Sequence, residues 1–489
     1  MDLMEKVVAL AKRRGFVYPS SELYGGLANV WDFGPAGALL KNNIRDLWLK
    51  KFVLDRDDMV VIDAATILKP EVWSASGHLA GFNEALIDCK ECKNRARADH
   101  LIEDFFEQSV IERDRNDKLG KGTFLATHTG SKNIIAGLDS KKQVKTKVEG
   151  LPFEELEDII ARNKIPCPKC GKSNWTRIRK FSQLVEVKLG VLEEGKNLAY
   201  LRGEIAQGIF LNFKNVLDST RVRIPFGIAQ QGKAYRNEIT MGQFTHRSFE
   251  FDLMEFEYFI KPEGWEKVFE DWRDEMWKFS LSLGIKEEDL RWREHEDFER
   301  SFYSKKTMDI EYKYPFGFKE MFGIACRTDY DLKNHSEKSG KDLSYTDPFT
   351  NEKYIPYVVE PTFGLSRLTG ILLFNGYTED GDRVVLKLDP KIAPYKVAVF
   401  PLLANKPELV EKARGIYKEL KKNFVVAWDD RGNIGKRYFA QDEIGTPWCV
   451  TIDFQTLDDD TVTIRDRDSG KQERVNIDKL SEYFQNGLK

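Results

Sequence analysis

The chain has 489 residues, with 76 Lys and Arg against 79 Asp and Glu, a formal net charge of -3 and a hydrophobic content of 41%. That length allows two or three domains with cores of their own, and the balance excludes a disordered, fibrous or uniformly basic chain, so contact with a polyanion would use local basic patches. No apolar run approaches the roughly 20 residues that span a bilayer, and the opening MDLMEKVVALAKRRGF has too short an apolar core for a signal peptide, so a cytoplasmic protein without a membrane segment is expected.

In chain order, residues up to about Asn83 mix a helical period in LLKNNIRDLWLKKFVL with Gly-Pro turns such as DFGPAG. FGPAGA lacks the Lys-Ser/Thr of a phosphate loop and reads as a turn. A Lys/Glu-rich insertion then separates two CxxC pairs, Cys89 with Cys92 and Cys167 with Cys170. Two plus two thiolates suit a closed, structural zinc site; ordinary reduced thiols or a redox pair are the alternatives. From Lys180 onward, LVEVKLGVL and LMEFEYF predict antiparallel strands, with WEKVFEDWRDEMWKFSLSLG a helix between strands. After LDPKIAPY, the runs YKVAVFPL, PELVEKARGIYKELKKN, FVVAWDD, WCVTIDF and TVTIRDRD predict a separate α/β unit. The expected division is 1–83 with 176–390, an insertion over 84–175, and an α/β domain over 391–489.

The segment AYRNEITMGQFTHRSFEFDLMEFEYF alternates charged and aromatic residues around a short loop. Side chains two or four apart on a strand share a face, so Arg236 with Glu238, and Arg247 with Phe251 and Glu255, are expected to line one face of a hairpin. A phosphate, an aromatic base and an amine would find partners there. A solvated charged face is the competing reading; the apolar flanks IPFGIAQ and MEFEYF, and Phe259 on the same face, count against it. The six histidines do not cluster, and His78 and His335 read as structural.

Arg-x-Glu, a loop, then Arg-x-x-x-Phe-x-x-x-Glu resembles motif 2 of the class II aminoacyl-tRNA synthetases. WDFGPAGALLKNNIRDLW resembles their motif 1, and VVEPTFGLSRLTG their motif 3. The resemblance implies an α+β protein: an antiparallel sheet flanked by helices as catalytic domain, an insertion, and a C-terminal α/β anticodon-binding domain. It implies that Arg236 holds the α-phosphate of ATP, Glu238 the adenine amino group, Phe251 and Arg247 the two ring faces, and Arg367 the γ-phosphate. Asn237, His246, Glu320, Met321 and Gly364 complete the implied ATP site, with Glu320 a ligand of Mg2+ and Arg236 and Arg367 the catalytic groups.

SGHLAGFNE, CKNRARADHL, LRGEIAQGIFLNF, EMFGIACRTDYDL and DEIGTPWCVTIDF look like segments of the dimeric, single-subunit glycyl-tRNA synthetases, a likeness that covers essentially the whole chain. It implies glycine, ATP and tRNA(Gly) as substrates, a homodimer, and zinc on the four cysteines. Glu204, Glu255 and Glu360 would surround the glycine ammonium, with Thr362 beside them and Arg327 and Arg97 as cationic partners. An excess of fixed acceptors makes any larger side chain both clash and desolvate charge. The chain departs from the family pattern where Gly203, Ile205, Phe249, Leu253, Cys326, Thr362 and Ser366 stand for Pro, Thr, Arg, Gln, Asn, Ser and Asp. In GNIGKRY, Lys436 and Arg437 either meet RNA phosphate or form a solvated turn. The alternative function is a synthetase-like RNA-binding or polymerase-accessory protein without aminoacylation, which would be expected to lose the arginines that this chain keeps at 236, 247 and 367.

Overall fold

Two-residue alternation decides the layering of the main sheet. In the computed structural model, which describes residues 2–81, 83–106, 124–126, 135–138, 144–146, 151–191, 197–238, 243–296, 300–301 and 303–488, the chain forms two units. One comprises Met1–Thr66, Glu204–Ala234 and Gly242–Lys489, the other Ile67–Gly203 and Tyr235–Met241.

The first unit carries a seven-stranded sheet among the described residues. Its strands are β1 (Met59–Ile62), β2 (Phe226–Tyr235), β3 (Glu250–Ile260), β4 (Leu290–Glu294), β5 (Lys306–Tyr314), β6 (Gly317–Thr328) and β7 (Tyr357–Gly364). Their spatial order is β4-β5-β6-β7-β3-β2-β1. Pairing is antiparallel from β4 through β3 and parallel between β1 and β2, so the expected antiparallel sheet acquires one parallel edge. On β3, Met254, Phe256, Tyr258 and Ile260 enter a core with helices Pro35–Leu49, Trp265–Ser282 and Leu365–Gly376. Phe259 faces the other way, against Ala206, Phe210 and Phe213 of the helix Ala206–Thr220. Glu255 and Glu257 share that second face by the same alternation.

FGPAGA, expected to be a turn, is instead the junction of the short strand Trp31–Phe33 with a helix. Pro35 opens the helix Pro35–Leu49, and a Cβ on Gly37 would lie 1.9 Å from the Phe16 carbonyl oxygen, so this glycine serves a close backbone approach. The C-terminal sheet runs Val426–Trp428, Val397–Pro401, Trp448–Ile452, Thr461–Asp466, Gln472–Asn476; the first three strands are parallel and the last two antiparallel. Helices Pro407–Leu420 and Leu480–Gly487 cover one face, and Ile434 and Tyr438 of the helix Ile434–Ile444 pack on the other.

In the second unit, strands Arg179–Ser182, Asn83–Asp88 and Arg95–Arg97 form a sheet whose core includes Ile87, Ile102, Leu156 and Ile159. LVEVKLGVL supplies the strand Val185–Leu189, paired with Asn197–Leu201. Most of the Lys/Glu-rich stretch between the cysteine pairs, and the hairpin loop at 239–242, lie outside the described residues.

Two expectations need correction. Arg236 and Glu238 are not strand residues, since β2 ends at Tyr235, and Arg247 precedes β3. The backbone N–H groups of Tyr235 and Asn237 donate instead to the carbonyls of Arg202 and Gln183, which turns the chain out of the hairpin. Arg437 is neither exposed nor on a turn. It is buried on the helix Ile434–Ile444, and its guanidinium donates to the carbonyls of Pro401, Gly432, Asp430 and Arg431 at 2.6, 2.8, 3.1 and 3.1 Å. Helical periodicity turns Arg437 inward while Lys436 stays exposed. Arg437→Ala should therefore destabilise the C-terminal domain by about 3 kcal/mol in urea unfolding, because it leaves carbonyls without their donor. Arg437→Lys should rescue little, since one ammonium cannot span four acceptors.

Candidate functional site

Acidic side chains converge on a single buried guanidinium in the first unit. Arg327, near the end of β6, is 1% exposed. Its Nε and Nη2 donate to Asp331 at 2.8 and 3.0 Å, Nη1 donates to both Glu360 oxygens at 3.0 Å, and Nη2 reaches Glu204 at 3.4 Å. The Tyr303 ring covers the guanidinium, with its centroid 3.9 Å away. Gln207 donates to Glu204 at 2.8 Å and Asp331 at 2.9 Å, and its carbonyl lies 2.7 Å from His335 Nε2, which gives that histidine a structural partner.

Strand register brings further carboxylates to the same place. Glu255 on β3 pairs with Thr362 on β7, and the Thr362 hydroxyl donates to Glu255 Oε2 at 2.9 Å. Carboxylate oxygens of Glu255, Glu257 and Glu360 lie within 4.8 Å of one another. At an effective dielectric of about 20, two unit charges that close repel by roughly 3 kcal/mol. Burial and the Glu360 and Glu204 charges accordingly hold the Glu255 carboxyl well above its usual range; burial, Glu360 and Glu255 do the same to Glu257. Burial pushes Glu360 up to about 7 despite Arg327 beside it. Burial by itself would lower Arg327, but Asp331, Glu360 and Glu204 hold it above its ordinary value. Such a pocket accepts a compact cation or keeps protons.

The first unit also places the residues of the third motif. Arg367 Nη1 lies 2.8 Å from Glu320 Oε1. Gly364 precedes the helix Leu365–Gly376, and a Cβ there would press on the Arg367 Cβ at 3.3 Å. Met321 is buried. His246 Nδ1 lies 3.3 Å from the Tyr314 hydroxyl, and burial with the nearby Arg367 charge drives its pKa down to about 3, so the ring is neutral at physiological pH. Phe251 packs on Ile205, Ala234 and Leu253, and Arg247 is exposed. Ile205 and Leu253, both departures from the family pattern, thus sit in one apolar cluster, each covering the other. Ser366 accepts from the Asp252 N–H at 2.9 Å and donates to its carboxylate at 3.2 Å, while Lys41 pairs with Asp252 at 2.8 Å. Cys326 is a buried thiol pushed up to about 11 by burial.

In the second unit, Arg236 Nε donates to the Gly203 carbonyl at 2.8 Å, and the Asn237 amide to those of Ser182 and Leu184 at 3.1 and 3.3 Å. Arg97 pairs there with Glu84 at 2.6 Å and with Asp99 at 2.5 Å. Burial raises the Glu84 carboxyl, against the opposing Arg97 charge; Glu238 adds to the rise.

Cys89, Cys92, Cys167 and Cys170 form one cluster, with Sγ atoms 3.7 Å apart for Cys89–Cys170 and for Cys92–Cys167 and all within 4.8 Å of each other. A disulfide needs about 2.05 Å, whereas a tetrahedral ion with bonds of about 2.3 Å sets sulfurs roughly 3.8 Å apart. The four thiols therefore fit a metal ion.

Sequence reasoning left out Glu257, Asp331, Gln207 and Tyr303. Glu257 was within reach, being two residues from Glu255 on one strand face; Asp331 lies four residues from Arg327 and Gln207 three from Glu204, so of the four it is Tyr303 that packing brings in without a local pattern.

This sheet with its buried acidic pocket, followed by a C-terminal α/β domain, defines a class II aminoacyl-tRNA synthetase. Residues 396–487 match the family model of the anticodon binding domain, and 84–183 that of the glycyl-tRNA synthetase insertion domain 1. The glycine–tRNA ligase of Clostridium acetobutylicum is 49% identical over 99% of both chains. That of Clostridium tetani is 50% identical over 98% of this chain and 97% of its own, and that of Clostridium perfringens 48% identical over 99% and 98%. The chain belongs to the glycine–tRNA ligase family.

Removing the central cation tests the electrostatics. Arg327→Met should cost about 3 to 5 kcal/mol, the range for a buried charge set that loses one partner. The sign with pH follows from the raised carboxyls. Folded Glu360 holds its proton up to about 7, whereas the unfolded group releases it near 4.5, so its stability contribution falls as pH rises through that window. The deficit of Arg327→Met should be larger at pH 8 than at pH 6 in urea unfolding.

Proposed function

We propose that this protein attaches glycine to tRNA(Gly) through a glycyl-adenylate. The observation that carries the reading is the buried pocket of Glu204, Glu255 and Glu360 beside Arg327, in a chain of this family. The carboxylates receive the ammonium, and Thr362, held by its hydroxyl on Glu255, walls the α-carbon so that a Cβ has no room.

The glycine carboxylate oxygen attacks the α-phosphorus of ATP, forming the new P–O bond as pyrophosphate leaves with the electron pair. A terminal ribose hydroxyl of tRNA then attacks the activated carbonyl and AMP departs. Both steps depend on positioning and electrostatics. Arg236 neutralises charge growing on the α-phosphate, and Arg367 holds the γ-phosphate. Glu238 takes the adenine amino group, Phe251 and Arg247 its faces, and Asn237, His246, Met321 and Gly364 line the nucleotide. Neutral His246 adds no charge to that site. Glu320, half exposed and paired to Arg367, is the residue that would hold a Mg2+ ion, which would offset phosphate charge. The C-terminal domain binds the anticodon stem, two chains form a homodimer, and the place of work is the cytoplasm, where thiols stay reduced.

Zinc is the ion proposed for Cys89, Cys92, Cys167 and Cys170, since four thiolates close its tetrahedron and leave no open position for catalysis. Its part is to clip two segments of the insertion together.

Pyrophosphate exchange into ATP should require glycine, and alanine and serine should support it at least about 100-fold less well, as expected where an extra group is excluded sterically. Exchange with alanine equal to that with glycine would remove the glycine assignment. Elemental analysis should find about one zinc per chain, lost when Cys167 and Cys170 become Ser; a metal-free protein with a fully protease-resistant insertion would remove the zinc assignment.

A further inference from the structure

Glu257 is a buried acid that neither substrate step uses. It lies on β3, fully buried, and neither of its carboxylate oxygens meets a hydrogen-bond donor among the described residues; Glu255 Oε1 is in the same condition. An ionised carboxylate in a dry interior without a donor is far costlier than the neutral acid, so the group keeps a proton unless a cation arrives.

Each element around Glu257 contributes to that choice. Glu255 shares its strand face, β7 supplies Glu360, β6 supplies Arg327, and the helix Tyr330–Ser339 supplies Asp331. The other neighbouring strand, β2, carries the neutral Gln230, whose amide is engaged with the Ala64 N–H at 3.3 Å and the Ile205 carbonyl at 3.5 Å. Arg327 is committed to Asp331, Glu360 and Glu204. Burial, and after it repulsion from Glu360 and Glu255, therefore outweighs the Arg327 charge at Glu257. An ammonium group seated on those two carboxylates cancels that repulsion.

We propose that Glu257 is a positioning residue of the glycine pocket that holds a proton while the pocket is empty and releases it when an ammonium group enters, so that glycine binding expels about one proton. The O–H bond of the acid breaks, its electron pair stays on the carboxylate, and the proton passes to solvent. One positive charge replaces another, and the buried pocket keeps its charge balance. The inference rests on the glycine reading given above.

Titration calorimetry of glycine into the full chain near neutral pH, in two buffers of different protonation enthalpy, tests it. The heats should differ by the equivalent of about one proton, and wild-type affinity should rise by up to about tenfold per unit between pH 6 and 8. Glu257→Gln, the same shape without the acid, should still bind glycine, with heats and affinity nearly independent of buffer and pH. Glu257→Leu gives the same comparison if the Gln variant does not fold. No glycine binding by the wild type would overturn the glycine reading itself. Binding with equal heats in both buffers would overturn only the proton coupling. Undiminished release in the Glu257 variants would overturn the role of Glu257 and move the proton to Glu255 or Glu360.

Discussion

One buried arginine organises the pocket. Arg327 is the cation in direct contact with Asp331, Glu360 and Glu204, and Glu255 and Glu257 stand immediately beyond Glu360. A single guanidinium cannot balance five ionised carboxylates, so the raised acids among them keep protons unless a cation arrives. The guanidinium's five N–H donors in a flat fork are what allow three acids to be held at once; a lysine could not do this from one point.

That imbalance links packing to specificity. Glu255 and Glu257 sit on the β3 face that otherwise carries Phe259 into an apolar core with the helix Ala206–Thr220, so they are buried. Burial makes their mutual repulsion large. A compact substrate bearing one ammonium relieves the repulsion without needing space, whereas a larger side chain would need both room and its own desolvation. The residues of the third motif follow a different logic: Arg367 is paired with Glu320 and Ser366 with Asp252, so these two side chains each have a partner that fixes their direction. Among the departures from the family pattern, Ile205 and Leu253 replace polar groups with an apolar contact that supports Phe251.

Much of this was legible beforehand. Strong periodicity marked the helix Trp265–Ser282, the strand Glu250–Ile260 and the α/β succession after Ala393, because in each the apolar spacing matches the element and its buried face. CxxC spacing marked the four cysteines, which the structure brings into one cluster. Arg437 misled because a charged residue in a polar, Gly-containing string reads as exposed; its burial depends on four carbonyls contributed from Pro401 and the 430–432 loop. Arg236 and Glu238 misled because alternation says nothing about where a strand ends, and β2 ends when the backbone beyond it finds the Arg202 and Gln183 carbonyls.

By itself, then, the sequence determined which residue types alternate along the strands, that a segment such as Trp265–Ser282 is helical, and which motifs stand in order, because these depend on interactions within a few residues. Tertiary structure alone decided that Glu204, Glu360 and Tyr303 meet at Arg327, and that Glu257 meets no hydrogen-bond donor among the described residues. Those facts depend on the pairing of β6 with β7 and of β7 with β3, and on helices packed across them. Charge balance in a buried site is a sum over strands distant in the chain, and no local pattern contains that sum.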